Sequence, residues 1–264
     1  MKKLISLLMT FLLAVSMLSA CGGKENVIDA PKPYEIYMQA YENLEKVDAI
    51  GVTMIVSQVV NTSGEEVSID MQMDVKLVGD ALYVESDMFN QGQITMIMVD
   101  NMFYFDMPAY DVKLKMPVDA AEFSAFMKSS TGSQVQEFLE ADFGNSAAKV
   151  RDEGGYTIVA NISVDRLSAV MGDIFEGYSM YTLEDIVNIK KFEYVISVDK
   201  DGNFETINAV ADMEITADGQ KTIMRMDIHV DYFEIPSDYL IEAPADADEY
   251  MDGEDMGLTA QDLF

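Results

Sequence analysis

Apolar and polar residues alternate through most of the chain after residue 48, and this pattern restricts the fold more than any other feature of the sequence. In one stretch the apolar residues Met71, Met73, Val75 and Leu77 alternate with the polar residues Asp70, Gln72, Asp74 and Lys76. Successive side chains of a β-strand point to opposite faces, so the alternation predicts strands with one buried face and one face in water. Turn-forming residues such as Asp100-Asn101 divide residues 49–116 into about six strands, and such short links favour antiparallel neighbours.

Helical spacing of apolar residues interrupts the strands at three places. The predicted helices lie at 33–46, in two short segments between Pro117 and Leu139, and at 165–175. Five further strands are predicted at 147–152, 155–163, 192–199, 204–215 and 221–233. The sequence therefore predicts an α+β fold, in which a single antiparallel sheet of about 11 strands is accompanied by helices.

The first 20 residues have the three parts of a secretion signal: two lysines, an apolar run from Leu4 to about Leu18, and small residues at the end. The apolar run is about 15 residues, whereas a helix that spans a membrane needs roughly 20. The sequence Leu18-Ser19-Ala20-Cys21 resembles the lipobox of bacterial lipoproteins, in which the cysteine thiol takes up a diacylglyceryl group. We therefore expect cleavage before Cys21 and a lipid on its sulfur, which anchors the mature chain to the extracytoplasmic face of the cell membrane.

These features divide the precursor into four parts. Residues 1–20 are the signal peptide, 21–32 the lipidated cysteine and a flexible tether, 33–243 the folded domain, and 244–264 an acidic C-terminal tail. The tail is expected to be solvated because acidic residues dominate its sequence.

Composition excludes several functional classes. The formal net charge is −30, which repels nucleic acid and anionic lipid headgroups. Cys21 is the only cysteine, so an internal disulfide or a multi-cysteine metal site is excluded. The only histidine, His229, falls on the polar face of a predicted strand, and the sequence has no nucleophile elbow, phosphate-binding loop, dinucleotide fingerprint or zinc-protease motif. We therefore predict a protein that is not an enzyme and that uses no cofactor or metal.

One acidic turn resembles a metal-binding sequence. Asp199-Lys200-Asp201-Gly202-Asn203 is similar to the start of a calcium loop, but its glycine comes two positions early and strands flank it. We therefore expect a plain β-hairpin turn here.

A meander of about eleven strands, interrupted by helices and preceded by an N-terminal helix and a lipobox, is similar to the LolA/LolB and LppX/LprG group of lipoproteins. The marks of this resemblance are the tether and helix at 24–46, the strands Ala81-Leu82-Tyr83-Val84 and Met102-Phe103-Tyr104-Phe105, and Lys113-Leu114-Lys115-Met116-Pro117 before the helices. The resemblance covers most of residues 33–235. It implies a curved sheet that forms a half-open barrel with helices covering its concave face, a Gram-positive-like envelope, and binding of lipids or lipidated proteins. Soluble carriers of the LolA kind lack an anchor, so this chain is not expected to shuttle between two membranes.

Three hypotheses for the function remain open. In the first, a lipid or another apolar ligand binds in a cavity between sheet and helices, lined by adaptable methionine side chains. The candidate cavity residues are Met71, Met73, Met96, Met98, Met213, Met224 and Met226. In the second, the core is filled and the protein is a tethered protein-interaction or sensor domain of the cell envelope. In the third, it is a structural envelope lipoprotein with neither ligand nor partner.

Overall fold

The secondary structure of the chain consists mainly of strands. The computed structural model describes residues 31–62, 65–88, 92–118, 140–160, 187–217, 220–253 and 255. It contains helix α1 (Pro33–Leu44) and the strands β1 (Ala49–Thr62), β2 (Glu65–Val78), β3 (Ala81–Met88), β4 (Gln93–Val99), β5 (Met102–Met107), β6 (Val112–Pro117), β7 (Ala147–Val150), β8 (Tyr156–Ala160), β9 (Val187–Val198), β10 (Phe204–Ala217), β11 (Gln220–Glu234) and β12 (Met251–Asp252). The predicted helices between Pro117 and Leu139 and at 165–175 lie outside the described residues, as does Cys21.

All twelve strands belong to one sheet, in the order β12-β6-β5-β4-β3-β2-β1-β11-β10-β9-β8-β7. The sheet is curved and does not close, because its two ends, β12 and β7, are not neighbours. Only β12 pairs in parallel, with β6, and every other described pair is antiparallel. The predicted α+β half-open barrel is thus confirmed, and β12 is the strand that the prediction of about 11 did not include.

The turn between β4 and β5 shows why the hairpins were predictable. Asp100 and Asn101 have φ angles of 53° and 59°. A two-residue hairpin turn needs positive φ at both central positions, and aspartate and asparagine tolerate this conformation better than other residues with a side chain. The Asp100-Asn101 signal therefore sets the end of one strand and the start of the next.

Helix α1 covers one end of one face of the sheet, which we call the inner face; the opposite face is the outer face. Pro33 stands in the first turn, where its missing N–H costs no hydrogen bond. The buried Tyr37 ring lies 5.2 Å from the ring of Phe143 and 5.7 Å from that of Phe204. At the other end of the helix, the Asn43 side-chain amide donates to the Gly202 carbonyl at 3.0 Å. The helix is therefore held to the turn between β9 and β10.

Three tyrosines lie in the core where α1 meets the sheet, one on the helix and two on strands. Tyr37 and Tyr194 are buried, and Tyr232 packs against the same core cluster with its ring 5.6 Å from that of Phe204. Burial disfavours the charged phenolate. It raises the pKa of Tyr232 to about 12 and the pKa values of Tyr37 and Tyr194 well above the usual 10. These phenols stay neutral wherever the protein is folded at ordinary pH.

Residues 235–253 form a segment that we call the C-terminal strap. Its side chains Ile235, Ile241 and Tyr250 are buried, and its last residues pair with β6 as β12. Residues 244–253 therefore lie against the sheet instead of forming a separate tail, whereas the side chains of Asp248, Glu249 and Asp252 are exposed as expected. The physical reason for the contact is that Lys113 on the outer face of the sheet pairs with acidic side chains of this segment, as described below.

A close approach on the outer face explains a glycine within β1. Gly51 lies opposite Phe233 of β11, whose ring covers the glycine backbone. A Cβ atom at residue 51 would lie 2.1 Å from the Phe233 ring, which is closer than any real contact. Only glycine accommodates the ring in this position.

We predict that Gly51→Ala destabilises the protein by about 1–2 kcal/mol because the Phe233 ring must move. Urea denaturation would measure the free energy of unfolding in the wild type and in a Phe233→Ala background. The alanine at residue 51 should cost less in that background, where no ring is displaced. An equal cost in both backgrounds would show that the ring contact is not the reason for the glycine.

The buried tyrosines predict a loss of stability in alkali. In the unfolded chain they ionise near pH 10, whereas folding raises their pKa, so their contribution is fully present below pH 10 and falls as the pH rises toward 12. The free energy of unfolding, measured between pH 8 and 11, should decline less steeply in Tyr194→Phe than in the wild type. Identical slopes would mean that Tyr194 ionises as easily in the folded protein as in the unfolded chain.

Candidate ligand-binding face

The inner face of the sheet is apolar from strand to strand because the register aligns the inward positions of neighbouring strands. Met54 on β1 lies opposite Met73 on β2 and Val230 on β11. The same row continues across β10, β9 and β8 through Ile207, Ile196 and Ile158. All of these side chains are buried. The apolar half of each alternating strand thus forms one continuous surface.

The candidate cavity methionines all lie on this inner face. Met71, Met73, Met96, Met98, Met213 and Met226 are buried, and Met224 is partly buried against the same cluster. Their low exposure is typical of side chains in an apolar interior. That they line a cavity stays a prediction. The sequence analysis missed Met54 and Met116, which are also inward and buried. The period of two in β1 would have found Met54, since Met54 and Val56 are two residues apart.

Small side chains interrupt the large ones on one side of the inner face. Ala209 and Ala211 on β10 and Ala160 on β8 are buried and point inward. Ala211 lies opposite Met226 on one neighbouring strand and Phe192 on the other. A methyl side chain between two long ones reaches less far above the sheet than its neighbours do. The space above it is available to another part of the chain or to a ligand.

Two polar side chains face inward among the apolar ones. Ser86 is the only buried polar residue in the described part of the chain, and its hydroxyl donates to the Gln72 carbonyl at 3.3 Å. Gln58 lies opposite Ile69 and Met226, and its amide donates to the Met224 sulfur. Thioether sulfur is a weak acceptor. Gln58 is therefore a polar group that a ligand could satisfy better than the protein does.

The inner face is closed at the α1 end and reaches the surface at the other. Beyond Gln58, toward the tip of the β1–β2 hairpin, Val60 is only partly buried and Val67 is 56% exposed. From Gln58 to Val52 on β1 the inner face extends about 20 Å at the rise of a strand. Half of a bilayer's hydrocarbon core is about 15 Å thick. The inner face is therefore long enough for one acyl chain, with an apolar rim at its open end.

His229 lies on the outer face, as the alternation predicts. Its Nδ1 is 2.6 Å from the Asn208 side-chain oxygen and its Nε2 is 2.9 Å from an Asp231 carboxylate oxygen. Neither partner is a serine, threonine or cysteine whose proton the imidazole could accept. Within the described residues no group of histidine, cysteine, aspartate and glutamate side chains could hold a metal ion.

The acidic turn at Asp199 is a hairpin turn, as predicted. The Asp199 carboxylate accepts hydrogen bonds at 2.8 Å from the backbone N–H groups of Asp201 and Asn203, and the Asn203 amide adds a bond of 3.2 Å. Burial by itself would raise the pKa of Asp199, but these hydrogen bonds outweigh it and lower the pKa. The Asp199 carboxylate thus serves as a hydrogen-bond acceptor within the turn.

Solved structures similar to this chain include a lipoprotein, a lipoprotein-sorting protein domain and a LolA superfamily protein. Lipoprotein LppX of Mycobacterium tuberculosis is 12% identical, with 79% of this chain and 97% of LppX covered and a TM-score of 0.38. A putative outer membrane lipoprotein-sorting protein domain of Vibrio parahaemolyticus is 10% identical, with 77% and 92% covered and a TM-score of 0.25. A LolA superfamily protein of Nitrosomonas europaea is 12% identical, with 78% and 96% covered and a TM-score of 0.24.

The predicted resemblance is thus found again among solved structures. The half-open barrel is established by the sheet itself. In the described part of the chain no helix is long and apolar enough to cross a membrane. A comparison with curated proteins found no match. Residues 32–250 match the model of the family described as "Family of unknown function (DUF6612)", and the chain therefore belongs to this family.

Proposed function

We propose that the protein is a membrane-anchored lipoprotein of the cell envelope that binds a lipid or another apolar ligand on the inner face of its half-open barrel. The anchor is the lipid on Cys21, which holds the domain at the extracytoplasmic face of the cell membrane. The ligand enters at the end where Val67 and Met224 lie and is held by apolar burial against the methionines. No chemical step is part of this function.

The observation that carries this proposal is the exposure of apolar side chains at one end of an otherwise buried apolar face. A face that only packs a core has no reason to remain apolar where water reaches it, and Val67 is 56% exposed at an inward position. Methionine adds to this argument because its flexible thioether side chain adapts to ligands of different shape. The net charge of −30 favours a ligand whose headgroup is uncharged or cationic.

A second function is favoured by the burial of the deepest methionines. Met54 and Met73 are 1% and 0% exposed, as they would be in a filled core. With a filled core the protein is a tethered protein-interaction or sensor domain, which meets an envelope partner through its acidic surface. The two functions differ in one property, which is whether unfilled space lies over the small residues of β10.

Substitution of Ala211 tests for that space. In Ala211→Phe the new ring points inward, and a ligand-binding cavity would accept it at the expense of the ligand. We expect the affinity for a fluorescent monoacylglycerol, an uncharged probe, to fall by about tenfold while the unfolding temperature changes little. The matched control is Val210→Phe on the same strand, where the side chain points outward opposite Asp227.

The filled-core function predicts the reverse result. Ala211→Phe would then overpack the core and cost about 1–3 kcal/mol in the free energy of unfolding, and the wild type would not bind the probe. Fluorescence titration and thermal denaturation of the same three proteins separate the two functions.

The anchor is tested by mass spectrometry of the N-terminal peptide of the protein isolated from membranes. We expect the wild-type peptide to begin at Cys21 and to carry the added mass of a diacylglyceryl group. Cys21→Ser should retain residues 1–20 and lack the added mass, because serine offers no thiol to acylate. An unmodified cysteine in the wild type, with residues 1–20 still attached, would exclude the anchor.

A further inference from the structure

The C-terminal strap crosses the outer face along a single row of side chains. The row consists of outward-facing residues on seven successive strands, from β11 to β6, that are cross-strand partners. They are Phe233, Gly51, Lys76, Tyr83, Ile97, Tyr104 and Lys115. We call them the outer row. Ile97 points outward and yet is only 8% exposed, so the middle of the outer row is covered, whereas Phe233 at its β11 end is 39% exposed.

Aromatic residues of the strap pack on the outer row at two points. Over β2, the Lys76 ammonium group donates to the Tyr239 hydroxyl at 3.3 Å and lies 5.3 and 5.0 Å from the ring centres of Tyr83 and Tyr239. Over β5, the Tyr250 ring packs edge-on against Tyr104 at 5.5 Å. These contacts form a small apolar layer, separate from the core on the inner face.

Lysines of β6 fasten the far end of the strap. The Lys113 ammonium group contacts the Asp246 carboxylate and lies 3.9 Å from that of Glu249. The Lys115 ammonium group donates to the Ala247 carbonyl at 3.0 Å. In the described residues, the backbone of this end is tied to β6 by the two residue pairs of β12 and by the Gly253 N–H, which donates to the Lys115 carbonyl at 2.8 Å. Side chains therefore hold the strap more than a strand ladder does.

Because the protein is strongly acidic, the attachment of the strap to β6 depends on very few basic residues. The protein carries 47 acidic residues against 17 lysines and arginines, so an acidic segment is repelled by most of the surface. Lys113 faces Asp246 and Glu249 of the strap and also Asp106, its partner on β5. The hydrogen bond to Lys113 lowers the pKa of Asp246, which keeps that carboxylate charged. Without the Lys113 charge, three carboxylates would face one another.

We propose that the strap is a clasp, which Lys113 keeps closed and which leaves the outer row as one unit while the rest of the sheet stays folded. Opening exposes Tyr83, Ile97 and Tyr104 together with the edge of β6. It also removes a tie between β2 and β6 on the outer face, which lets this half of the barrel change its curvature. The effect of opening on a bound ligand rests on the proposed function, whereas opening itself does not.

Hydrogen–deuterium exchange of the full chain tests the clasp. In Lys113→Glu we expect the amides of residues 247–253 to exchange about tenfold faster or more than in the wild type, while those of β9–β11 are unchanged. The pair Lys113→Glu with Asp246→Lys, which reverses the ion pair, should restore the slow exchange. Lys191→Glu is the matched control, since Lys191 pairs with Glu193 at 2.8 Å on β9, away from the strap.

Two results would overturn the clasp. One is unchanged exchange of residues 247–253 in Lys113→Glu, which would mean that the ion pair does not hold the strap. The other is equal acceleration in β9–β11, which would mean that strap and sheet unfold together. If Lys113→Glu does not fold, Lys113→Gln removes the charge without reversing it and is judged by the same criteria.

A separate measurement tests whether opening of the strap affects a bound ligand. The dissociation rate of the monoacylglycerol probe should change by about threefold or more in Lys113→Glu and stay at the wild-type value in Lys191→Glu. An unchanged rate with an open strap would exclude coupling between clasp and ligand. A wild type that binds no probe would exclude the proposed function, and the exchange experiment would still decide the clasp.

Discussion

The register between β1 and its two neighbours places Met54 opposite both Met73 and Val230. Pairings of this kind determine which side chains share a face throughout the sheet. Side chains alternate with a period of two, so a slip of one residue would turn every methionine of a strand outward and every aspartate inward. The burial of so many apolar side chains on one face opposes such a slip. The same constraint that fixes the fold therefore gathers the methionines into one surface.

A different segment of the chain packs on each face of the sheet. On the inner face, α1 closes one end through Tyr37 and leaves the hairpin end apolar and exposed at Val67. On the outer face, the C-terminal strap lies across seven strands and is fastened by charge at Lys113. A curved sheet that does not close can change its width, and the proposed clasp would limit that change. The proposed binding surface and the proposed clasp thus lie on opposite faces of the same strands.

Much of the fold could be predicted from the sequence because its signals are local. The alternation in β2 and the Asp100-Asn101 turn identify strands and hairpins within a few residues of chain. The direction of curvature could not be predicted, since a period of two shows that the faces differ but not which one is concave. The candidate methionines were assigned to one buried face by the same alternation, whereas the space above them depends on contacts between distant segments.

The strap shows most clearly where local signals fail. Its acidic residues were predicted to be solvated, because a run of negative charge in a protein of net charge −30 has no partner nearby in the sequence. The partner of Asp246 is Lys113, which is 133 residues away and contacts it because the strap reaches β6, where β12 pairs with that strand. The two-residue strand β12 is too short to produce a period. Contacts with distant parts of the chain, not local propensity, order this segment.

Native mass spectrometry of the chain from residue 22 onward, purified without its signal and anchor, tests the central claim most directly. We expect a lipid to be retained at close to one molecule per protein, and organic extraction would then identify its class. A protein that is free of lipid, and that also takes up neither added monoacylglycerol nor phospholipid, would contradict lipid binding on the inner face. The filled-core interaction domain would then be the function that the structure supports.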